Sequence, residues 1–577
     1  MQANLKEGLG NKLGYKLALL PLLCAYALHT HADVNINAGV STEFVKQTVD
    51  DVDRAVTLDS DNIIVQPFLS LAYGARDIDA FISIEHNHVR RSLESEDVTN
   101  NFTDFRYRTQ YRMLSNLLSL NVSGGQSYRS LRENSFLVDD FLFNEGNLSK
   151  NTTNRASLDF ILPAGEIVGI RSSLAMNSLR STPENPEVDP SFIGNLDSDT
   201  YSANVGFTSG RDLRPFLYRL DLQAAESKRE RQSDFQTESV DLTLGTNIFS
   251  DFSIRLLGFV ENNEVSDDNV GEEQSQILRE FYSYGVGIAW QPSENRFIEL
   301  GFNRSTTSSQ SFTDEEPQPD EENDFLSLDM NWAFSGRTNL SANYARRFFG
   351  DSAQLDFSHS LRNWRSSITY REDVNTNSQL FLNQQPGVLV CANGSTDISD
   401  CSLSENINPD NLAPGDFLLP VVTSSLDLND RVIIRKNWTA QTSFDRRRTT
   451  ITASVTASDD EEVEIQRNAN TLSGRLGAVV KISPRSSIKL NAQYFDVEQE
   501  FEGELSDSIT KEFELEFERQ FSRRLFASVG FRYLDRDGFI QNVFGGVGGG
   551  AQLFGINGPF TDRRISAEIR YEFDSSR

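Results

Sequence analysis

Long apolar runs are missing from this chain. After residue 32 no window holds the roughly 18 consecutive apolar residues that a spanning helix requires, and the mean hydropathy is negative. A bundle of membrane helices is therefore excluded. Basic charge is in deficit. Lys and Arg number 54 against 84 Asp and Glu, a net charge of −30 over 577 residues. Nucleic acid selects basic surfaces, so it is not an expected partner. Histidine is scarce at five and cysteine scarcer at three, whereas phenylalanine reaches 40. So few histidines supply catalysis poorly, and no enzyme is expected.

The first 32 residues stand apart. Lys6, Lys12 and Lys16 form a basic region, LALLPLLCAYAL (17–28) a short apolar one, and THA (30–32) a cleavage site before Asp33. This is the pattern of a secretory signal peptide, set aside from the fold. Cys24 lies inside the apolar stretch and lacks the small preceding residue of a lipid-attachment site. Residues 33–577 then form a single unit carrying Cys391 and Cys401, ten positions apart in one long polar segment. In an exported chain an even pair reads as a disulfide. A metal site there would want a nearby His, and the sequence offers none. Acid runs such as DEEPQPDEEND (314–324) and DDEEVE (459–464) lack the regular spacing of a calcium loop and read as solvated loops.

What the chain has in abundance is period two. VNINAGVSTEF (34–44) alternates apolar and polar, as do FRYRTQYRM (105–113), IKLNAQY (488–494), EFELEFE (512–518) and LFASVGFRY (525–533). Successive strand side chains point to opposite faces, so each segment has one apolar and one polar face. A soluble sandwich alternates too. Three features favour a membrane barrel instead. The strands are long, roughly ten to fifteen residues. Short connections (GARD 74–77, PAGE 163–166, SGRD 209–212, QPSEN 291–295, SGR 335–337, SPR 483–485) alternate with long polar ones (132–150, 181–196, 262–275, 307–323, 376–428, 535–560). Trp290, Trp332 and Trp364 lie near short turns, as an interfacial girdle would. The expected fold is an all-β, transmembrane, up-and-down antiparallel barrel of about 24 strands with long extracellular loops.

Closure is required, because lipid cannot satisfy an open edge. Strand one is expected at 33–45 and the last at 563–573. Ile565, Ile569, Tyr571 and Phe573 then face lipid, and the terminal aromatic resembles the assembly signal of bacterial outer-membrane barrels. Strands beginning near residue 34 leave no room for an N-terminal plug. Expected partners are outer-membrane lipid and lipopolysaccharide and the barrel-assembly machinery; no cofactor is expected.

The inner wall is the most informative surface. Arg106, Arg108 and Arg112 line one strand, and Glu512, Glu514, Glu516 and Glu518 another. Lys489, Arg524 and Arg532 are expected on the same face. Such charges stiffen a wide lumen as cross-strand ion pairs, or form a conduit that recognises a hydrated solute. His86 and His88 share a face at a spacing two metal ligands can use, but a polar strand end explains them as well. Ser358 and Ser360 alternate away from His359, so no nucleophile–base dyad is visible. GGVGGGAQLFG (545–555) opens no helix and reads as a flexible loop.

The segment YARRFFGDSAQLDFSHSLRNWRSSITYREDVNT (344–376) resembles a family pattern, through ARRFFGD, FSHS and SITYREDV in that order. It is similar to the outer-membrane β-barrel proteins associated with PEP-CTERM/exosortase systems, which fall among the β-barrel porins. The resemblance implies a Gram-negative outer membrane and an exopolysaccharide and protein-sorting locus. It carries over no catalytic or binding residue. The leading expectation is a porin-like conduit for a large polar solute such as polysaccharide, with 376–428 as lid. A non-conducting scaffold that anchors polysaccharide or sorted proteins is the alternative, and a membrane-embedded hydrolase the weaker one.

Overall fold

Alternation of apolar and polar side chains has one stable solution in a bilayer: strands paired on both sides in a closed ring. The computed structural model has that form. It describes residues 33–574 apart from 53–54, 93–96, 131–141, 143–147, 184–196, 211–215, 230–233, 267–275, 312–319, 377–388, 392–400, 404–415, 419–431, 463–466, 502 and 540–558. The signal segment 1–32, the glycine-rich run 545–555 and most of 376–428 lie outside the described residues.

Twenty-four strands form one sheet in which each pairs antiparallel with its neighbours in the chain. Strand β1 (Asp33–Asp51) pairs β2 (Val56–Gly74) on one side and the last strand, β27 (Phe560–Asp574), on the other. That seam runs from Asn37 opposite Asp574 to Asp51 opposite Phe560. Strand β17 (Trp364–Thr376) pairs directly with β21 (Val432–Arg446). Between them β18 (Leu389–Cys391), β19 (Cys401–Leu403) and β20 (Phe417–Leu418) make a separate three-stranded sheet. Cys391 and Cys401 are joined there in a disulfide.

Strands run from 10 to 19 residues, longer than expected. The first strand starts where expected but runs on to Asp51, and the last strand extends at both ends, to 560–574. A tilted strand needs about 9–11 residues to cross the hydrocarbon, so the excess projects beyond the bilayer at the outer end. All connections at the end that holds both termini are short, two to six residues. This end is periplasmic, since short turns lie there and long loops outside. The outer end is mixed. Long loops alternate with tight ones, among them the two-residue turn Phe348–Phe349 between β15 (Thr338–Arg347) and β16 (Gly350–Leu361). Gly350 has φ +117°, which a side chain would resist.

The outward face is apolar. Ile565, Ile569, Tyr571 and Phe573 are exposed on it. Trp290 stacks near Phe252 and Trp332, and Trp364 near Phe444, close to the periplasmic turns. This is an outer-membrane β-barrel with an aromatic belt at its inner interface. Leu300, on β13 (Arg296–Ser311), is 61% exposed about halfway across that band. Leu300→Arg is expected to cost about 2–4 kcal/mol, read from denaturant unfolding of the vesicle-folded protein.

The ring is not round. Arg219 on β9 (Phe216–Arg229) and Asp329 on β14 (Glu321–Ser335) both face the lumen, five strands apart. Five steps of about 4.8 Å separate these strands by about 24 Å along the wall, yet guanidinium and carboxylate lie 3.9 Å apart. The wall must therefore turn a tight corner between them. Glycine makes room for it. A Cβ at Gly301 would lie 2.6 Å from Leu257 Cδ1, and one at Gly287 3.4 Å from the same methyl. Side-chain-free positions on the concave face let a sheet bend sharply.

Candidate functional site: the lumen wall and its outer seal

Lumen charges are fixed by strand parity and then paired by register. Strands β24 (Ser486–Phe501), β25 (Glu504–Gln520) and β26 (Leu525–Phe539) place Lys489 opposite Glu516 and Arg532 opposite Glu514. Four glutamates at every second position repel one another, and cations from both flanks relieve that. Lys489 lies 3.7 Å from Glu516 and 3.3 Å from Glu518. Arg532 lies 2.5 Å from Glu512 and 3.4 Å from Glu514. Arg570 of β27 joins Glu518 at 3.2 Å and Glu572 at 3.1 Å. Arg524 is not part of the ladder. It sits in the exposed turn between β25 and β26, because β25 ends at Gln520 and the chain reverses before β26 begins.

On β4 (Asp97–Met113), Arg112 bridges Asp79 of β3 (Ile78–Ser92). Arg108 is half-buried, whereas Arg106 stands exposed in the lumen. The corner holds a second cluster that no local pattern in the sequence marks. Arg219 meets Asp221 at 2.6 Å as well as Asp329, and Arg255 meets Glu299 at 3.0 Å.

The histidines are placed elsewhere. His86 and His88 point outward at the strand end, sharing 2.8 Å hydrogen bonds with Thr103 and Asn101. His359 also points outward and shares a 2.9 Å hydrogen bond with Thr338. Ser358 and Ser360 are on the opposite face. Among the described residues no group of three or more His, Cys, Asp or Glu is arranged to hold a metal.

Burial of lumen-facing side chains increases with height, without a sharp step. In the inner half Arg219, Asp329 and Glu514 keep 52%, 38% and 41% of their side-chain surface, while Arg255, Glu299, Lys489 and Glu518 are largely covered by their ion-pair partners and neighbours, and Ala289, Ser443 and Val479 are buried. Nearer the outer end, lumen-facing polar residues around the ring are buried: Gln47, Asn151, Ser227, Glu261, Arg435 and Asp562. The lumen is thus more densely covered above than below.

Two described elements contribute to the filling. First, Leu142, between β5 (Leu118–Ser130) and β6 (Leu148–Leu162), packs into a cluster of Val45, Ile64, Val89, Phe102 and Leu148. Its carbonyl accepts a hydrogen bond from Arg91. Arg91 Nε also donates to Asn62 Oδ1 at 3.0 Å, Asn62 to Ser60 at 3.1 Å, and Gln47 Nε2 to Asp562 Oδ1 at 3.2 Å. This buried relay crosses four strands, including the barrel seam. Buried polar groups are tolerated only when paired in this way.

Second, the β15–β16 hairpin leans into the lumen. Its last residue on β15, Arg347, donates from Nε to Glu261 Oε2 at 3.0 Å and from Nη2 to Oε1 at 2.5 Å. Glu261 belongs to β11 (Phe252–Ser266), four strands away and about 19 Å along the wall. Arg279 of β12 (Gln276–Ser293) lies over the Phe348 ring at 5.8 Å, and Arg347 over Phe349 at 5.2 Å. ARRFFGD is therefore an inward-folded tip latched across the corner. Sequence parity could place Arg347 and Glu261 on one face; only the bend brings them together.

No family model and no curated protein matches this chain. Solved structures with a similar outline include the FrpB iron transporter from Neisseria meningitidis (TM-score 0.38, 10% identity, covering 93% of this chain and 81% of that one). Another is the siderophore receptor PirA from Acinetobacter baumannii (TM-score 0.38, 9% identity, covering 93% and 80%). Similarity this low says nothing about what this chain carries.

Proposed function

We propose that this barrel is a gated outer-membrane conduit for a large hydrated polar solute. The observation that supports it is the asymmetry of the lumen. Exposed lumen charges lie in the half nearer the periplasm, and buried lumen-facing residues are most numerous below the outer mouth. A pore that was merely wide would be wet throughout. Polar solutes suit a wall whose charges are mutually satisfied, because paired groups offer hydrogen bonds without trapping an ion. The resemblance of 344–376 to exosortase-associated barrels makes an exopolysaccharide the solute class to try first.

The buried outer layer also fits the second reading, a surface scaffold that never conducts. Single-channel recording of the folded protein in a planar bilayer separates them. A gated conduit gives long silence broken by rare, large steps proportional to salt, and a polysaccharide solute shortens them by block. Silence from heat-modifiable, correctly folded protein, also after the latch is broken, leaves the scaffold.

A further inference from the structure

The protein is strongly acidic, but its periplasmic rim is not evenly so. Five turns that follow one another around the ring are involved: β14–β15, β16–β17, β21–β22, β23–β24 and β25–β26, where β22 spans Thr449–Glu462 and β23 spans Arg467–Ser483. Across segments 335–338, 361–364, 445–449, 481–486 and 519–525 the sequence places ten basic residues against one carboxylate, Asp445. Drawn with comparable flanking residues, the six remaining turns on that rim hold five basic residues, Arg76, Arg112, Arg211, Arg214 and Arg296, and five acidic ones.

The ten side chains are exposed and make no ion pair among the described residues. Arg446, Arg447 and Arg448 are consecutive, and Arg523 and Arg524 adjacent. This contrasts with the wall, where opposite charges are matched at most positions. Cations left unmatched in an acidic protein call for an anion from outside it.

Large apolar side chains interleave with these cations. Phe334, Leu361, Trp364, Ile482 and Phe521 are all exposed in or beside four of these five turns. Arg519 lies over the Phe521 ring at 5.5 Å. Aromatic and aliphatic groups exposed beside guanidinium groups belong at the boundary of hydrocarbon and headgroup. A soluble acidic protein would have to cover those apolar groups; a lipid leaflet already does.

We propose that this basic crescent is a docking surface for the phosphates of anionic phospholipid in the periplasmic leaflet, gathered on one side of the barrel only. The opposite rim, where basic and acidic residues balance, does not gather it.

The full chain, folded into vesicles of equimolar phosphatidylglycerol and phosphatidylcholine, is probed with spin-labelled forms of each lipid. Basic residues at an anionic surface each contribute enough for an enrichment of phosphatidylglycerol of about fivefold at low salt. Raising the ionic strength should erase it, as the Debye length shrinks. A variant with Arg446, Arg447, Arg448, Arg523 and Arg524 all changed to Gln should associate equally with both lipids and keep its heat-modifiable mobility. Equal association of both lipids with the unmodified protein overturns the proposal. So does a preference that survives high salt or the five substitutions. The salt series needs no variant, so a folding failure of the variant leaves the test standing.

Discussion

Replacing Arg347 by alanine is expected to raise the open probability of the channel about a hundredfold. Glu261 is 1% exposed and accepts two hydrogen bonds from Arg347, whose Nη1 also lies 3.9 Å from Asp373. Removing one partner of such a pair leaves a buried charge, a penalty of about 3–5 kcal/mol. That penalty falls on the closed form alone, because an outward-swung tip lets water reach Glu261. A bias of this size shifts a two-state balance by two decades or more. Single-channel recording reads the change as frequent openings in place of rare ones. An Arg347→Ala barrel as quiet as its parent, and as stable, would remove the hairpin from the seal.

Proline at Ile569 is expected to reduce assembled barrel to about a tenth or less. Ile569 pairs with Thr42 across the closing seam and with Ala527 on the other side. Proline has no amide to donate and is confined to edges or bulges. Here there is no edge, and lipid offers no substitute for a lost hydrogen bond, so the cost is several kcal/mol in the one strand pair that shuts the ring. Heat-modifiable electrophoresis counts the assembled fraction. Ile569→Val, which keeps the amide and the outward apolar group, should assemble normally.

Much of this architecture was legible from period two alone. A strand needs only its alternation and a turn to be recognised, and RISAEIRYEF (564–573) declares both its lipid face and its role at the seam. Parity likewise told which of Lys489, Glu512, Glu514, Glu516, Glu518 and Arg532 share the lumen. Arg524 shows where parity stops. The alternation continues on paper past Gln520, but the chain there has left the sheet. Strand lengths were underestimated because the outer extensions are mostly polar, as with Gln47 to Asp51 where Val49 alone is apolar, and so look like loop. The corner was not legible. Curvature is a property of many strands together, and its sole local trace is glycine at positions such as 287 and 301. Without the corner, neither Arg219–Asp329 nor Arg347–Glu261 can be anticipated, since each pair lies dozens of residues apart with intervening strands between them.

The proposed conduit has a lumen that is reached from the periplasm and closed at its outer mouth. Sided labelling of a single introduced cysteine tests it most directly. Arg106→Cys places a thiol in the exposed inner lumen, and the native pair Cys391–Cys401 is already oxidised. A large, membrane-impermeant maleimide should leave this thiol unlabelled in intact cells and label it rapidly once the periplasm is opened. Equal labelling in intact cells would mean the outer mouth is open, and the seal described here would not exist.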